Sequence, residues 1–345
     1  MKKVAIICNS NNAFFQNYYG ALLDNIDDDR TWFYGNKIFA ENAKRTKFSI
    51  SSFTNSAFFD FFSIVDFCIA PVVFFGILWK RIKIIHFVSA HPSNITLAIM
   101  AKMFGIKTLF TIHDLIPHPD RKSRIIAYYN KLVVDFLATD IVLHNKDYVE
   151  QLDKKSTHYI PLSGYKEDFI KRKFSKKLLF FGRIEPYKGL NNLLMLAKIL
   201  REKKMDWEVV IAGKGKIPEV NHSEIPNVKI INDFISNSEL RELHKESAFT
   251  ILPYDSASQS AVIIHSYAFA TPVIVYDVGA LADYVEDNKT GLVVNHNDFN
   301  TIIHFLKKMD EQTFNSFQEN VSHYFMNNYS DLVFAKDSLA LYSKW

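Results

Sequence analysis

Arg183 and Lys188 stand five residues apart in the segment 178–190, LLFFGRIEPYKGL. A guanidinium grips phosphate oxygens through paired N–H donors and an ammonium adds a point charge, so together they suit a diphosphate. The four apolar residues before them read as a buried strand ended by Gly182, and Leu190, Leu193, Leu194 and Ala197 follow at helical spacing. Both cations therefore belong beyond the carboxyl end of a sheet strand, beside a helix start. Open α/β sheets bind ligands in that crevice, and helix N-termini favour anions. The same residues read equally well as a surface Arg and Lys around an ordinary strand-to-helix turn, so the neighbouring segments decide.

The segment 252–294, LPYDSASQSAVIIHSYAFATPVIVYDVGALADYVEDNKTGLVV, supplies the second group. A strand, FTILPY, ends in the polar loop 255–260, and a helix begins at Ser260, Ala261 and Val262. Its first N–H groups have no partner within the helix and point positive charge into the crevice. The strand PVIVYD predicts another helix N-terminus near Gly279 to Leu281. With Arg183 and Lys188 these form a nest of donors for two phosphates that needs no metal.

The elements that must position these groups alternate along the chain. In the first half, VAIIC (4–8), IKIIHFVS (82–89), KTLFTI and TDIVLH read as strands. Helices are expected over 93–104, capped by Ser93 and ended by Gly105, and around 124–137. In the second half KLLFFG, WEVVIAG, VKIIN, FTILPY, PVIVYD and GLVV are strands with helices between. Such alternation implies parallel sheets covered on both faces. The charged stretch YKEDFIKRKFSKK, 165–177, reads as a linker between a first domain, 1–164, and a second, 178–324. The amphipathic segment 325–345 needs a face to pack on, and the first domain offers one. Two doubly wound domains leave a cleft, the usual place for a small-molecule site.

Composition narrows the classes. The 345 residues suit two domains, and Cys8 and Cys68 lie far apart in apolar settings without metal-ligand spacing, as buried thiols of a reducing compartment do. The start MKKVAIICNS has an apolar run too short for a signal peptide and reads as a strand. Residues 1–175 hold 23 Lys and Arg against 16 Asp and Glu, whereas the remainder holds 18 against 21. A basic first half is consistent with an anionic acceptor or membrane surface, and equally with a Lys-rich background. From Phe53 to Trp79 the chain is dense in Phe and aliphatics, followed at once by Lys80, Arg81 and Lys83. Asp60, Asp66 and Pro71 argue against a spanning helix. A membrane-surface patch and a buried helix pair remain as readings. P-loop, G-x-G-x-x-G, H-E-x-x-H and paired-Cys patterns are missing, and cations do not interleave with aromatics as nucleic-acid binding requires.

Taken in order, these motifs resemble the retaining glycosyltransferases of family 4, with the two-domain GT-B fold. The family's GR-x4-KG motif matches Gly182, Arg183, Lys188 and Gly189; its VI-AG-x-G strand and loop matches 210–215; its PVI…D-VG-GL-E-V block with TGLLV matches 272–294. There Ala280 replaces a Gly and Asp283 a Glu. The HD…PH pattern of one subgroup matches His113, Asp114, Pro117 and His118. The fold implied is α/β: two Rossmann-like doubly wound parallel-sheet domains facing a central cleft. By resemblance Arg183 and Lys188 neutralise the donor's diphosphate as it leaves, and His113 contacts the sugar near the reacting centre. His113 and His118 read alternatively as loop histidines satisfying local hydrogen bonds.

One departure concerns two Glu residues that the family carries eight positions apart before PVI. Here those positions are Ala257 and His265. Gln259 and Ser260 occupy the turn, as in a branch with QSG, so that Gln259 would bond sugar hydroxyls, Ser260 the diphosphate and His265 the ribose. The base is expected near Gly213, Phe234 and Ile235, and the acceptor side at Asn9, Asn11, Asp114 and His118. The reaction implied is sugar transfer from a UDP- or GDP-sugar to an acceptor hydroxyl on an oligosaccharide or lipid-linked saccharide, in bacterial surface polysaccharide synthesis. No cofactor or metal is expected, the location implied is cytoplasmic with peripheral membrane contact, and nucleic acid is not a partner. A GT-B sugar-nucleotide epimerase and a non-catalytic partner subunit are the alternatives.

Overall fold

The computed structural model describes residues 2–9, 20–26, 30–35, 48–49, 62–113, 115, 121–152, 156–164, 172–218, 225–257 and 260–345. The chain forms two compact units, one of Met1–Ser163 with Asp331–Trp345, the other of Gly164–Ser330.

The first unit is built on seven strands, β1 (Val4–Cys8), β2 (Thr31–Gly35), β3 (Phe48–Ser49), β4 (Ile84–Phe87), β5 (Lys107–Ile112), β6 (Asp140–Leu143) and β7 (Ser156–Tyr159). They form one parallel sheet in the order β3-β2-β1-β4-β5-β6-β7. Strand residues alternate between two cores, which is why the strands read as continuous apolar runs. Ala5, Ile7, Ile85 and Phe87 face one core, with α1 (Phe62–Trp79) and α2 (Ser93–Met103) packed on it. Val4, Ile6, Ile84 and Val88 face the other, where Phe334, Leu341 and Tyr342 of the C-terminal helix Asp331–Ser343 close the layer. Helix α3 (Arg121–Leu132) runs into a π-helical turn, Val133–Leu137, and α4 (Lys146–Gln151) is capped by the Asn145 side chain.

Two expectations change here. Helix α2 begins at Ser93, but Pro92 stands in the capping position and the Ser93 hydroxyl does not cap. Helix α1 carries Pro71 inside it and buries one face only, through Ala70, Val73, Phe74 and Ile77. Among the described residues no helix is long and apolar enough to cross a membrane. Residues 53–61 of that apolar segment lie outside the described residues.

The second unit has six parallel strands: β8 (Lys177–Phe181), β9 (Glu208–Ala212), β10 (Val228–Ile231), β11 (Phe249–Leu252), β12 (Val273–Tyr276) and β13 (Gly291–Val294). Their order is β10-β9-β8-β11-β12-β13, so β8 lies between β9 and β11 and the chain changes direction there. Helices α5 (Leu190–Glu202), α6 (Asn237–Glu246), α7 (Ala261–Ala268), α8 (Phe299–Lys308) and α9 (Glu311–Asn328) cover it. All six expected strands are present, and both sheets are doubly wound.

The expected linker is different. Residues 165–171 lie outside the described residues, and Arg172 is buried inside the second unit. Its guanidinium donates to the carbonyls of His244, Ser247 (3.0 Å) and Ala270 (2.9 Å). These carbonyls end α6 and follow α7, where backbone acceptors have no helical partner and the dipole is negative. Burial lowers the Arg172 pKa to about 10, which leaves it charged at neutral pH.

Candidate functional site

The crevice between β8 and β11 is the topological switch point of the second sheet, where open α/β sheets take ligands. Four loops meet there, after β8, β9, β11 and β12. Glycine makes their contact close: a Cβ on Gly189 would overlap the Pro253 carbonyl, and one on Gly279 the Ala257 carbonyl. Both have positive φ, +66° and +55°, which other residues rarely adopt. Hydrogen bonds join the same loops. Asp255 N–H donates to the Tyr187 carbonyl at 2.8 Å, and the Asp255 carboxylate accepts from Asn192 at 2.9 Å and His296 at 2.8 Å.

This frame sets the two cations differently. Arg183 follows β8 and is exposed, whereas Lys188, at the end of the turn Pro186–Lys188, is only 8% exposed. Lys188 Nζ reaches back over the β8 end: it lies 3.5 Å, and Val262 Cγ2 3.8 Å, from where a Cβ on Gly182 would stand. The ammonium is also 5.6 Å from the Tyr254 ring centroid. Burial first, and the Arg183 charge after it, lower its pKa to about 8, with Glu185 opposing both. Among the described residues Lys188 makes no ion pair within 4.0 Å. A buried ammonium without a counter-ion is held at a cost that a bound anion would remove.

Helix α7 points its N-terminus at the same place. Ser260 precedes it, buried, and makes no side-chain cap; its hydroxyl instead shares a hydrogen bond with Tyr254. The N–H groups of Ala261 and Val262 thus stay available to an incoming anion. Burial drives the Tyr254 phenol pKa up, so it remains a neutral hydrogen-bonding group. The second helix N-terminus expected near Gly279 is not formed. That stretch is a single 3₁₀ turn, Ala282–Tyr284, because the left-handed Gly279 packs on Ala257 and draws Ala280 and Leu281 into the core.

Gly213 ends β9 against the Gly182 carbonyl, so the loop expected to hold the base joins the loop after β8. Ile235 packs with Phe181, Val210 and Val262, while Phe234 is 79% exposed and offers a ring face. His265 is half-buried on α7, near enough to the buried His244 for their charges to oppose. Gln259 lies outside the described residues.

In the first unit, Asn9 follows β1 at that sheet's own switch point. Its amide donates to Ser93 Oγ at 2.9 Å and its backbone N–H to Ser89 Oγ at 3.1 Å. Ser93 Oγ lies 2.6 Å from His91 Nδ1, and the buried Asn94 donates to the Ser89 carbonyl at 2.7 Å and Tyr129 at 3.2 Å. This polar cluster was not expected, although SAHPSN directly after a strand is a usable signal. Asn11, Asp114 and His118 lie outside the described residues.

His113, directly after β5, hydrogen-bonds through Nε2. Nε2 is 2.9 Å from the Val88 carbonyl, which can only accept, so Nε2 carries the proton. Nδ1 is 3.1 Å from His144 Nε2, and His144 Nδ1 donates to the Ile160 carbonyl at 2.7 Å. Burial pushes both imidazoles to low pKa, His144 to about 4, so both are neutral at physiological pH. Through Nε2 His113 makes the local hydrogen bond that one of its two readings expects.

Two doubly wound parallel sheets match the GT-B architecture of solved glycosyltransferases. Residues 165–324 match the family model for Glycosyl transferases group 1. A protein of the cps region of Klebsiella pneumoniae is 26% identical over 142 residues, 41% of this chain and 38% of that protein, so the chain spans about two fifths of that relative's length. A glycosyltransferase from Rickettsia africae has a similar structure, with TM-score 0.72 at 15% identity over 99% of this chain and 98% of its own. Anabaena Alr3699/HepE, solved in complex with UDP-glucose, superposes with TM-score 0.68 at 12% identity over the whole of both chains.

Proposed function

We propose that this protein is a retaining glycosyltransferase of family 4 that moves a sugar from a nucleotide-diphosphate sugar to an acceptor hydroxyl in surface polysaccharide synthesis. The observation that carries the reading is Lys188: a buried ammonium with no carboxylate oxygen within 4.0 Å among the described residues, beside Gly182 and the start of α7, which has no side-chain cap. In the reaction the bond between the anomeric carbon and the diphosphate oxygen breaks, and the acceptor oxygen takes its place while its proton is released. Negative charge grows on the departing diphosphate. Arg183, Lys188 and the N–H groups of Ala261 and Val262 are preorganised to stabilise that charge, which lowers the barrier without reorganisation.

A UDP-sugar is favoured as donor by the likeness to a fold solved with UDP-glucose, and Phe234 is the ring offered to the base. The cps-region relative supports a capsule-type product. His265 reaches the ribose and Ser260 the diphosphate. On the first unit, Asn9 and the cluster of Ser89, His91 and Ser93 orient the acceptor, with neutral His113 beside them. The test is release of nucleoside diphosphate from UDP-glucose, UDP-N-acetylglucosamine and GDP-mannose with lipid-linked saccharide acceptors, and NMR of the product's anomeric configuration. Acceptor-dependent release lost in Lys188→Ala is expected. Interconversion of the donor sugar without acceptor would support the epimerase instead, and no turnover in any pairing would contradict the transferase.

A further inference from the structure

Nine of the thirteen exposed large hydrophobic side chains among the described residues lie between positions 72 and 136. They are not scattered. Val72, Phe75 and Trp79 recur at i, i+3 and i+7 along α1, one stripe of the helix, and are 70%, 67% and 85% exposed. Met103 and Phe104 close α2 at 76% and 59% exposure, and Phe136 in the π-helical turn is 62% exposed. The three elements adjoin: the Phe74 and Phe104 rings are 5.3 Å apart, and Lys102 Nζ donates to the Phe136 carbonyl at 3.1 Å. An exposed apolar surface of this extent marks an interaction site.

Its charge selects the partner. From residue 67 to 113 the sequence holds not one Asp or Glu, and Lys80, Arg81, Lys83 and Lys102 close α1 and α2, whereas Lys107 lies over the Trp345 ring on the other layer. Asp135, beside Phe136, is paired with Lys131 at 3.2 Å. A second copy meeting this face about a two-fold axis would bring like charges together. An anionic bilayer meets both features, because Trp and Phe enter the headgroup–acyl boundary while Lys and Arg remain at the phosphates. We propose that the α1–α2 face of the first unit is a docking surface for anionic lipid membranes, with Phe75 and Trp79 as its apolar anchors.

This inference stands independently of the donor site. It is tested by co-sedimentation of the full chain with vesicles of equimolar phosphatidylglycerol and phosphatidylcholine, against phosphatidylcholine alone. The wild type should partition onto the anionic vesicles and be released by salt. Phe75→Ser/Trp79→Ser should lower the partition coefficient about tenfold or more, and Arg81→Gln/Lys83→Gln/Lys102→Gln by roughly a hundredfold at low salt, from about fivefold per cation. Both variants should keep the wild-type UDP affinity, so a failure here differs from a failure of the donor reading. Val72→Ser/Met103→Ser provides the same test should the first variant fold poorly. Equal binding to both vesicle types, binding that survives the apolar variants, or a dimer that Phe75→Ser/Trp79→Ser dissociates would overturn the proposal.

Discussion

Lys188→Met removes the charge of a buried ammonium while keeping the length of its stem, and it is expected to stabilise the second unit while destroying nucleotide binding. Lowering the pKa from 10.5 to about 8 is 2.5 units. At about 1.4 kcal/mol per unit this makes the protonated side chain cost roughly 3 kcal/mol at pH 7. Losing the contact with the Tyr254 ring returns about 1 kcal/mol, so the net gain is roughly 2 kcal/mol. For a unit of this size that raises the melting temperature by about 6 °C. The pH dependence supplies an internal control. The folded pKa is below the unfolded one, so the unfolded chain binds more protons between pH 8 and 10.5, and wild-type stability rises with pH across that window. Lys188→Met lacks this slope, and its advantage should shrink as pH approaches 9.5. Calorimetric or fluorescence melts of both proteins from pH 7 to 9.5 measure it. A variant less stable than wild type at pH 7, or an advantage constant across the window, would refute the reading that burial makes the Lys188 charge costly.

Phe234→Ala removes the exposed ring beside the loop after β10, and loss of base stacking should weaken UDP by about 1–3 kcal/mol with unchanged stability, read by titration calorimetry and melting. Arg172→Met leaves the acceptors of three carbonyls at the ends of α6 and α7 without their donor, and should destabilise the second unit by roughly 3 kcal/mol in urea unfolding.

Strands β8, β9, β11, β12 and β13 were legible as runs of aliphatic and aromatic residues that burial on both faces keeps nearly continuous, while edge strand β10, VKII, carries the exposed Lys229. Strand β7, STHY, is polar and partly exposed and carries no such signal. Arg183 and Lys188 were found by type and spacing, but nothing local separates the exposed one from the buried one. Lys188 is covered because Gly189 lets its loop meet Pro253, more than sixty residues away, and that contact is invisible to any short window. The segment around Arg172 misled for the opposite reason: six cations in a short stretch read as solvated linker, and only the ends of α6 and α7 explain why one of them is buried. The turn after β12 failed as a helix start because Gly279 is used for close approach. The first unit's polar cluster brings Asn9 to Ser93 through the parallel pairing of β1 with β4, a register composition does not reveal.

Arg183, Lys188 and the start of α7 are proposed to form a diphosphate site. Titration calorimetry with UDP and with GDP, on the wild type and on Arg183→Ala/Lys188→Ala, tests it most directly. UDP should bind, binding at pH 8 should take up protons as the phosphate raises the Lys188 pKa from about 8, and the double variant should lose both signals. Binding of neither nucleotide, or equal binding by the double variant, would contradict it.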